Sequence, residues 1–433
     1  MLNISEFSKR PFIRNVAAVA SGAAASQAIT MAFAPLVTRL YGPEAYGIQG
    51  VFMSIAGVMG VIAALIYPVA IVLPKHASEA VGLARLSFYT GIVMSLLTTV
   101  ILFFFGSEIL ILLQAEEISA FIYFIPAFMI ISVFNMVVSQ WLIRKKAFKL
   151  TANVTALQAF LVSTIKAGVG FVHPTAVMLI ITNVLGGLVG ALMMLMGLRM
   201  TRKASRDITK ISDITPSTWE LAKYYRDFPL FRAPQELLNS VSYNLPIMLL
   251  ASYYGPASVG YYSIASAVLG IPMGLIGRSV MQVFYPRITE AIHRGENAKK
   301  LIIKATLGLA VSGAPLFIIV ILAGPKLFGF IFGSNWQMAG VYAQWLSAWL
   351  FLQYINKPAV AAIPALRLQG GLLLYEVFST GTKFFALYLG YKVYGSDVAA
   401  IALFSVFGSI AYVWLILWVI FHSAKIKFEI QFD

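Results

Sequence analysis

The sequence predicts an all-α membrane protein whose helices cross the bilayer many times. Of its 433 residues, 60% are hydrophobic and only 11% are charged, and the mean hydropathy is +0.83. Soluble globular domains carry roughly 25% charged residues. The apolar residues are grouped in long runs, such as 91–106 and 398–421. About 20 apolar residues suffice for a helix to cross a hydrocarbon core roughly 30 Å thick, so the runs predict transmembrane helices.

Breaks at glycine, proline and charged residues divide the apolar sequence into twelve predicted transmembrane helices. They cover residues 14–39, 47–73, 84–106, 119–142, 151–172, 176–198, 228–253, 257–284, 302–323, 338–357, 370–391 and 398–422. A polar connection over residues 199–227 separates the first six helices from the last six. We therefore predict two six-helix bundles around a central cavity, an N-terminal lobe over 1–213 and a C-terminal lobe over 214–433.

The distribution of lysine and arginine predicts the orientation in the membrane. With the N-terminus inside, the predicted cytoplasmic segments hold 24 of the 32 Lys and Arg residues, and the outward connections hold 3. Because cytoplasmic loops collect basic residues, both termini are predicted to be cytoplasmic. Topology also accounts for the net charge of +15, so no nucleic-acid partner is needed to explain it.

A Gly-Pro elbow occurs in both predicted lobes. "YGPEAYG", residues 41–47, and "YGPASVG", residues 254–260, share Tyr-Gly-Pro and a glycine four residues after the proline. Proline fixes φ and ends a helix, whereas glycine permits the conformation that reverses the chain. Each elbow falls between the first and second helix of its lobe. Because six helices per lobe bring both lobes in from the same side, we predict a parallel repeat about an axis along the membrane normal.

Charged residues occur within the predicted spans, where they are rare in membrane proteins. The basic residues are Lys166, Arg232, Arg278, Lys357 and Lys383, and the acidic residues are Glu236 and Glu376. A charge at the bilayer centre costs at least about 2.5–3.5 kcal/mol, so it normally faces a protein interior or a water-filled cavity.

Some of these charges have a simpler explanation. Arg232 and Lys357 lie near cytoplasmic helix ends, where a long side chain can reach the lipid headgroups. Arg232 and Glu236 stand at i, i+4 on one helical face. Glu376 and Lys383 are seven residues apart and share a face as well. Ion pairing is therefore an alternative role for both acids.

A net charge of +3 remains within the predicted spans even with both ion pairs formed, since five cations face two acids. Lys166, Arg278 and Lys383 lie further from the predicted helix ends, and we expect them to face the protein interior. Surplus positive charge within the bilayer indicates an anionic ligand. The residues alone do not identify this anion.

The sequence contains no motif for catalysis, nucleotide binding or metal binding. It has no cysteine, no P-loop and no HExxH, and its four histidines fall at predicted helix ends or in loops. The outward loops are too short for a water-facing catalytic domain. We therefore predict a protein that is not an enzyme and that uses neither a metal nor a cofactor.

The elbows and their flanking helices resemble a known family. The first outward turn, "LYGPEAYG", follows a helix of small residues, and the second half begins "YYGPASVGYYSIASAVLGIPMGLIGRSVMQVFYPRITE". Both are similar to the polysaccharide-transporter branch of the multidrug/oligosaccharidyl-lipid/polysaccharide exporter superfamily. The resemblance covers essentially the whole chain. Its motifs are structural, so they indicate the family well and the substrate poorly.

The resemblance implies a Wzx-type flippase of the bacterial inner membrane. Such proteins move undecaprenyl-pyrophosphate-linked oligosaccharide repeat units, of O-antigen or another surface polysaccharide, to the outer leaflet by alternating access through a cationic cavity. A glycan polymerase and chain-length proteins are the implied protein partners, beside membrane lipids. The candidate substrate-binding residues are Arg278, Lys166, Lys383, Arg232, Lys357 and Arg39.

Energy for such transport need not come from ATP. An interior-negative potential favours outward movement of a two-charge headgroup by roughly 4–5 kcal/mol per 100 mV. A counter-transported proton or sodium ion is a further candidate, with Glu236 and Glu376 as the carboxylates. Two alternatives stay open: a cation-coupled multidrug exporter of the same superfamily, which would favour acidic intramembrane residues, and a membrane glycan transferase or ligase, which would need catalytic groups.

Overall fold

The structure is a computed structural model that describes residues 11–112, 119, 121–204, 217–366 and 368–429. Within those ranges the chain is helical and contains no β-strand. The long helices are α1 (Pro11–Leu40), α2 (Pro43–Ala63), α3 (Ala77–Leu112), α4 (Ile125–Arg144), α5 (Phe148–Gly170), α6 (Ala176–Ala204), α8 (Ala233–Tyr254), α9 (Pro256–His293), α10 (Ala298–Phe332), α11 (Gln337–Ile355), α13 (Gln369–Leu389) and α14 (Asp397–Glu429). Two short helices are α7 (Thr218–Tyr224) and α12 (Lys357–Ala362), and short 3₁₀ or π turns cover Tyr67–Val72, Ile122–Phe124, Phe228–Arg232, Ser334–Trp336 and Gly390–Tyr394.

Seven helices in the described ranges are long and apolar enough to cross a membrane. These are α1, α2, α3, α4, α6, α10 and α14. The prediction of an all-α membrane protein with several spanning helices is thus confirmed. Of the other five long helices, α5, α8, α9 and α13 each carry at least one of the predicted intramembrane charges, which lowers their hydropathy. Whether those five also cross the membrane stays a prediction.

The chain divides into two compact units, Met1–Ser252 and Tyr253–Asp433. In the first unit, α5 packs along α1 and α6, and α4 packs against α2, α3 and α6. In the second unit, α11 packs against α9, α10 and α14, and α13 packs against α14. Glycine permits the closest of these approaches: a Cβ on Gly340 of α11 would collide with the backbone of Gly324 on α10. The predicted lobe boundary at 213/214 stays a prediction.

The second predicted span is not one continuous helix. The α2 helix ends at Ala63, and a 3₁₀ turn over Tyr67–Val72 continues the predicted segment 47–73. Between them Leu65 and Ile66 have positive φ angles of 45° and 61°, a conformation that costs L-residues about 1–2 kcal/mol. Pro68 follows within the 3₁₀ turn, where it cannot supply a helical N–H.

The broken end of this span is held by Arg144, the last residue of α4. Its guanidinium donates to the backbone carbonyls of Ile71 at 3.1 Å and Pro74 at 2.5 Å, and to those of three neighbouring residues. The further acceptors are the carbonyls of Val72, Lys75 and His76. A single arginine therefore satisfies carbonyls that an uninterrupted helix would have satisfied internally.

Both Gly-Pro elbows form the predicted turns. In each, the glycine precedes the first residue of the next helix and the proline occupies that first position. Gly42 has an ordinary φ of −69°, whereas Gly255 has φ 80° and ψ 179°, a region that only glycine readily occupies. The second turn therefore uses the conformational freedom of glycine, whereas the backbone angles of Gly42 are open to any residue.

Candidate functional site

Lys383 lies on α13 between two aromatic rings. Its Nζ is 5.4 Å from the ring centroid of Trp349 on α11 and 5.5 Å from that of Tyr412 on α14. An ammonium within about 6 Å of an aromatic face is attracted by the ring quadrupole. Three helices of the second unit therefore converge on this one half-buried cation.

The two rings are themselves fixed by neighbouring residues. The Gln353 amide on α11 donates to the Tyr412 hydroxyl at 2.8 Å. Trp349 packs edge-to-face on Phe404 with centroids 4.8 Å apart, and a Cβ on Gly408 would collide with the indole. The absence of a side chain at Gly408 thus gives Trp349 its place against α14.

No carboxylate in the described ranges lies within ion-pair distance of Lys383. The predicted partner, Glu376, shares the helix but is exposed. The alternative of a Glu376–Lys383 ion pair is therefore wrong for this structure, because the ammonium lies against aromatic faces instead. Glu376 remains a candidate carboxylate for coupling to a proton or sodium ion, and only its position in the sequence supports that role.

A stack of aromatic rings continues from this site. Tyr375 of α13 lies parallel to Trp414 with centroids 6.0 Å apart, and Trp414 stacks on Trp418 at 5.7 Å. Tyr375 also contacts Tyr412 at 6.5 Å. A Cβ on Gly371 would collide with Trp418, so this glycine admits the ring between α13 and α14. The stack joins the two helices that frame Lys383.

Lys383 is predictable from the sequence, but its aromatic surroundings are not. The contacts with Trp349 and Tyr412, and the hydrogen bond from Gln353, appear only in the structure. Two signals were available: Trp414 and Trp418 recur at i, i+4, and Gln353 is a polar side chain within an apolar span. The contact of Lys383 with Trp349 and Tyr412 could not be predicted from the sequence, because the three residues lie on three different helices.

Lys166 lies in the last turn of α5, four residues before its end at Gly170. That distance is about 6 Å along the helix axis, two residues shorter than the distance to the predicted end at residue 172. Its side chain is half-buried, and its ammonium has no ion-pair partner within the residues the structure describes. The carbonyl of Lys166 accepts a hydrogen bond of 3.0 Å from the Tyr41 hydroxyl.

The predicted Arg232–Glu236 ion pair is confirmed. The Arg232 Nη2 lies 3.1 Å from the Glu236 Oε1, and the two side chains are 53% and 36% exposed. Pairs as exposed as this contribute about 0–1 kcal/mol to stability. Glu236 therefore forms an ion pair, which is the role predicted for it as the alternative to ion coupling.

The remaining candidate cations lie at helix ends or outside the described side chains. Lys357 begins α12 and is half-buried, beside a buried Asn356 whose Oδ1 has no hydrogen-bond partner among the described residues. Arg39 is exposed in the last turn of α1. The backbone of Arg278 belongs to α9, but its side chain lies outside the described residues. In the described part of the chain, no cluster of His, Asp and Glu could hold a metal ion.

Long apolar helices together with half-buried lysines that no described carboxylate neutralises are typical of a multi-pass membrane transporter. Comparison with solved structures agrees with this class. A multidrug resistance MATE family transporter of the MOP superfamily, in an inward-facing conformation, superposes with a TM-score of 0.68 over 93% of this chain and 95% of that chain, at 14% identity. For the lipid II flippase MurJ the TM-score is 0.65, with 93% and 88% covered at 13% identity.

A third structure, a MOP superfamily transporter from Pyrococcus furiosus, has a TM-score of 0.58, with 96% of both chains covered at 16% identity. At such identities the likeness shows the fold. The family follows from the sequence: residues 36–340 match the family of polysaccharide biosynthesis proteins, and the chain belongs to it. The predicted family is thus confirmed.

One curated relative is the succinoglycan biosynthesis transport protein ExoT of Rhizobium meliloti strain 1021, which is 24% identical over 311 residues. That match covers 70% of this chain and 59% of the relative, so it leaves a large part of the relative unmatched.

Proposed function

We propose that this chain is a flippase that moves undecaprenyl-pyrophosphate-linked oligosaccharide units from the cytoplasmic to the outer leaflet of a bacterial inner membrane. The observation that carries the proposal is Lys383, a cation within a predicted span whose neighbours are aromatic rings. The family match to polysaccharide biosynthesis proteins and the fold shared with a lipid II flippase support it.

The proposed architecture has twelve crossing helices in two parallel six-helix repeats, with both termini cytoplasmic. The repeat is supported by four neighbour pairs in the first unit that have counterparts in the second. In the first unit the pairs are α2–α4, α3–α4, α4–α6 and α5–α6, and in the second they are α9–α11, α10–α11, α11–α14 and α13–α14. When α1 and α8 are each counted as the first long helix of a sequence half, each pair in the second set has the same place as its counterpart, although most of α8 belongs to the first compact unit.

The chemistry at Lys383 suits an anionic headgroup. A cation–π contact contributes about 0.5–2 kcal/mol, whereas a hydrogen bond between an ammonium and a phosphate is of the stronger, charge-assisted class. An arriving pyrophosphate is therefore able to draw Lys383 from its aromatic neighbours. In this proposal Lys383 replaces water around the phosphates, Arg278 and Lys166 are further candidate phosphate-binding residues, and the polyprenyl tail stays in lipid.

Membrane potential is the proposed driving force. Two negative charges moving outward across 100 mV gain roughly 4–5 kcal/mol. A counter-transported proton or sodium ion remains part of the proposal for the return step. Glu376 is then the more suitable carboxylate, because Glu236 is paired with Arg232.

Deletion of the gene in its bacterial host, with complementation by variants, tests this proposal in cells. The deletion strain is expected to accumulate lipid-linked repeat units in the inner leaflet, and sugar analysis of these lipids identifies the glycan. Lys383→Met should fail to relieve the accumulation, whereas Lys304→Met, at an exposed lysine of α10, should relieve it. Normal lipid turnover in the deletion strain would refute the proposed function, and full complementation by Lys383→Met would remove Lys383 from the site.

A further inference from the structure

The first Gly-Pro elbow is tied directly to the turn of α5 that carries Lys166. The Tyr41 hydroxyl donates to the Lys166 carbonyl at 3.0 Å across 125 residues of sequence. The Tyr41 side chain is fully buried. The backbone N–H of Tyr41 still bonds to the Val37 carbonyl at 2.9 Å, so the residue continues the hydrogen bonding of α1.

A second contact fixes the ring of Tyr41 one turn further along α5. A Cβ placed on Gly170 would lie 2.7 Å from the ring, closer than any side chain tolerates. Tyr41, Val37, Ala167 and Leu179 form one buried apolar cluster around this point. The tyrosine therefore packs its ring against the end of α5 and bonds its hydroxyl to the backbone of Lys166.

The second elbow lacks this tie. Its tyrosine, Tyr254, has a buried hydroxyl without a hydrogen-bond partner in the described part of the chain. The ring of Tyr254 instead meets Tyr391 edge-on, with centroids 5.9 Å apart. The same three-residue motif thus serves as a turn in both units but reaches a helix backbone only through Tyr41.

We infer that Tyr41 is a positioning residue for Lys166. It holds the last turn of α5 against α1 and so sets where the Lys166 ammonium stands. This inference rests on the proposed function, in which Lys166 binds the pyrophosphate. Tyr41 then affects transport only through the position of Lys166. A residue that merely stabilises the fold would affect transport whether or not Lys166 is present.

Tyr41→Phe removes the hydroxyl and keeps the ring, and Tyr254→Phe is the matched control. We expect Tyr41→Phe to raise the KM for the lipid-linked substrate between about twofold and tenfold, the range of one neutral hydrogen bond, with little change in the melting temperature. Tyr254→Phe should leave KM unchanged. Added to Lys166→Met, Tyr41→Phe should have no further effect, because residues that act through one group are not additive.

A labelling experiment reads the position of residue 166 without transport. The chain has no cysteine, so Lys166→Cys introduces a single thiol. Its rate of reaction with a methanethiosulfonate reagent should change at least about threefold when Tyr41→Phe is added. The exposed Leu157→Cys on the same helix should not respond.

The outcomes separate the inference from the function it rests on. Normal transport by Lys166→Met would remove Lys166 from the proposed site, and the thiol rate would still show whether Tyr41 fixes its position. An unchanged thiol rate, or a Tyr41→Phe defect that persists in full on Lys166→Met, would overturn the positioning role. Gly170→Ala, which displaces the Tyr41 ring, should reproduce the change in thiol rate.

Discussion

Replacing Lys383 by methionine should stabilise the protein while it abolishes most transport. A charge within the bilayer costs at least about 2.5–3.5 kcal/mol, and cation–π contacts recover about 0.5–2 kcal/mol of that cost. Lys383 contacts two rings and is half-buried, so the net penalty is small. We expect Lys383→Met to raise the free energy of unfolding by about 1 kcal/mol.

Transport should change in the opposite direction. Loss of one charge-assisted contact to a phosphate removes about 1.5–3 kcal/mol, which corresponds to a roughly ten- to hundredfold lower rate. The assay pairs denaturant unfolding in nanodiscs with transport in proteoliposomes, for Lys383→Met and for the control Lys304→Met. The control should match the wild type in both measurements. A Lys383→Met protein that is both less stable and proportionally less active would refute this reasoning, since Lys383 would then be a structural residue.

Three further predictions concern the parts that hold the fold. Gly255→Ala should destabilise the protein by about 1–3 kcal/mol, because its φ of 80° lies in a glycine-only region, whereas Gly42→Ala, at −69°, should be close to neutral; equal unfolding midpoints would contradict this. Arg144→Met should lower the free energy of unfolding by about 2 kcal/mol or more, because its hydrogen bonds to five carbonyls are lost. The amides of segment 71–76 should then exchange faster, and unchanged exchange there would be evidence against the role of Arg144. The α9–α10 turn should loosen in acid. The hydrogen bond from Arg287 lowers the pKa of Glu296. The ion pair is therefore fully formed above the ordinary glutamate pKa and is lost as the pH falls through the lowered pKa of Glu296. The rate of amide exchange at residues 294–297, measured as a function of pH, reports this loosening. Slower exchange in acid, after correction for the intrinsic pH dependence, would contradict the predicted direction.

Local sequence signals predicted the parts of this protein that depend on local contacts. The i, i+4 spacing of Arg232 and Glu236 gave an ion pair that is present at 3.1 Å. Runs of apolar residues predicted the positions of the helices, because the hydropathy of a segment depends only on the residues within it. The first and second elbows each end a helix at a Gly-Pro pair, as their residue types require.

Contacts between distant segments were beyond such signals. Lys383 had an acid seven residues away, yet it lies against Trp349 and Tyr412, which no sequence periodicity joins to it. The break after α2 falls at Leu65 and Ile66, which are poor residues for a positive φ, and its nearest warning was Pro68. Arg144 bonds carbonyls at the end of the same segment from about 70 residues away in sequence, a link visible only in three dimensions.

Translocation by the purified protein tests the central claim most directly. The protein is reconstituted in liposomes that carry a pyrophosphate-linked polyprenyl oligosaccharide in one leaflet, and a membrane-impermeant lectin or glycosidase measures its arrival in the other. We predict that arrival is fast with the wild type, accelerates when the potential is negative on the donor side, and falls to near the protein-free rate with Lys383→Met. Arrival at the protein-free rate with correctly folded wild type, or efflux of a cationic drug in its place, would contradict the account.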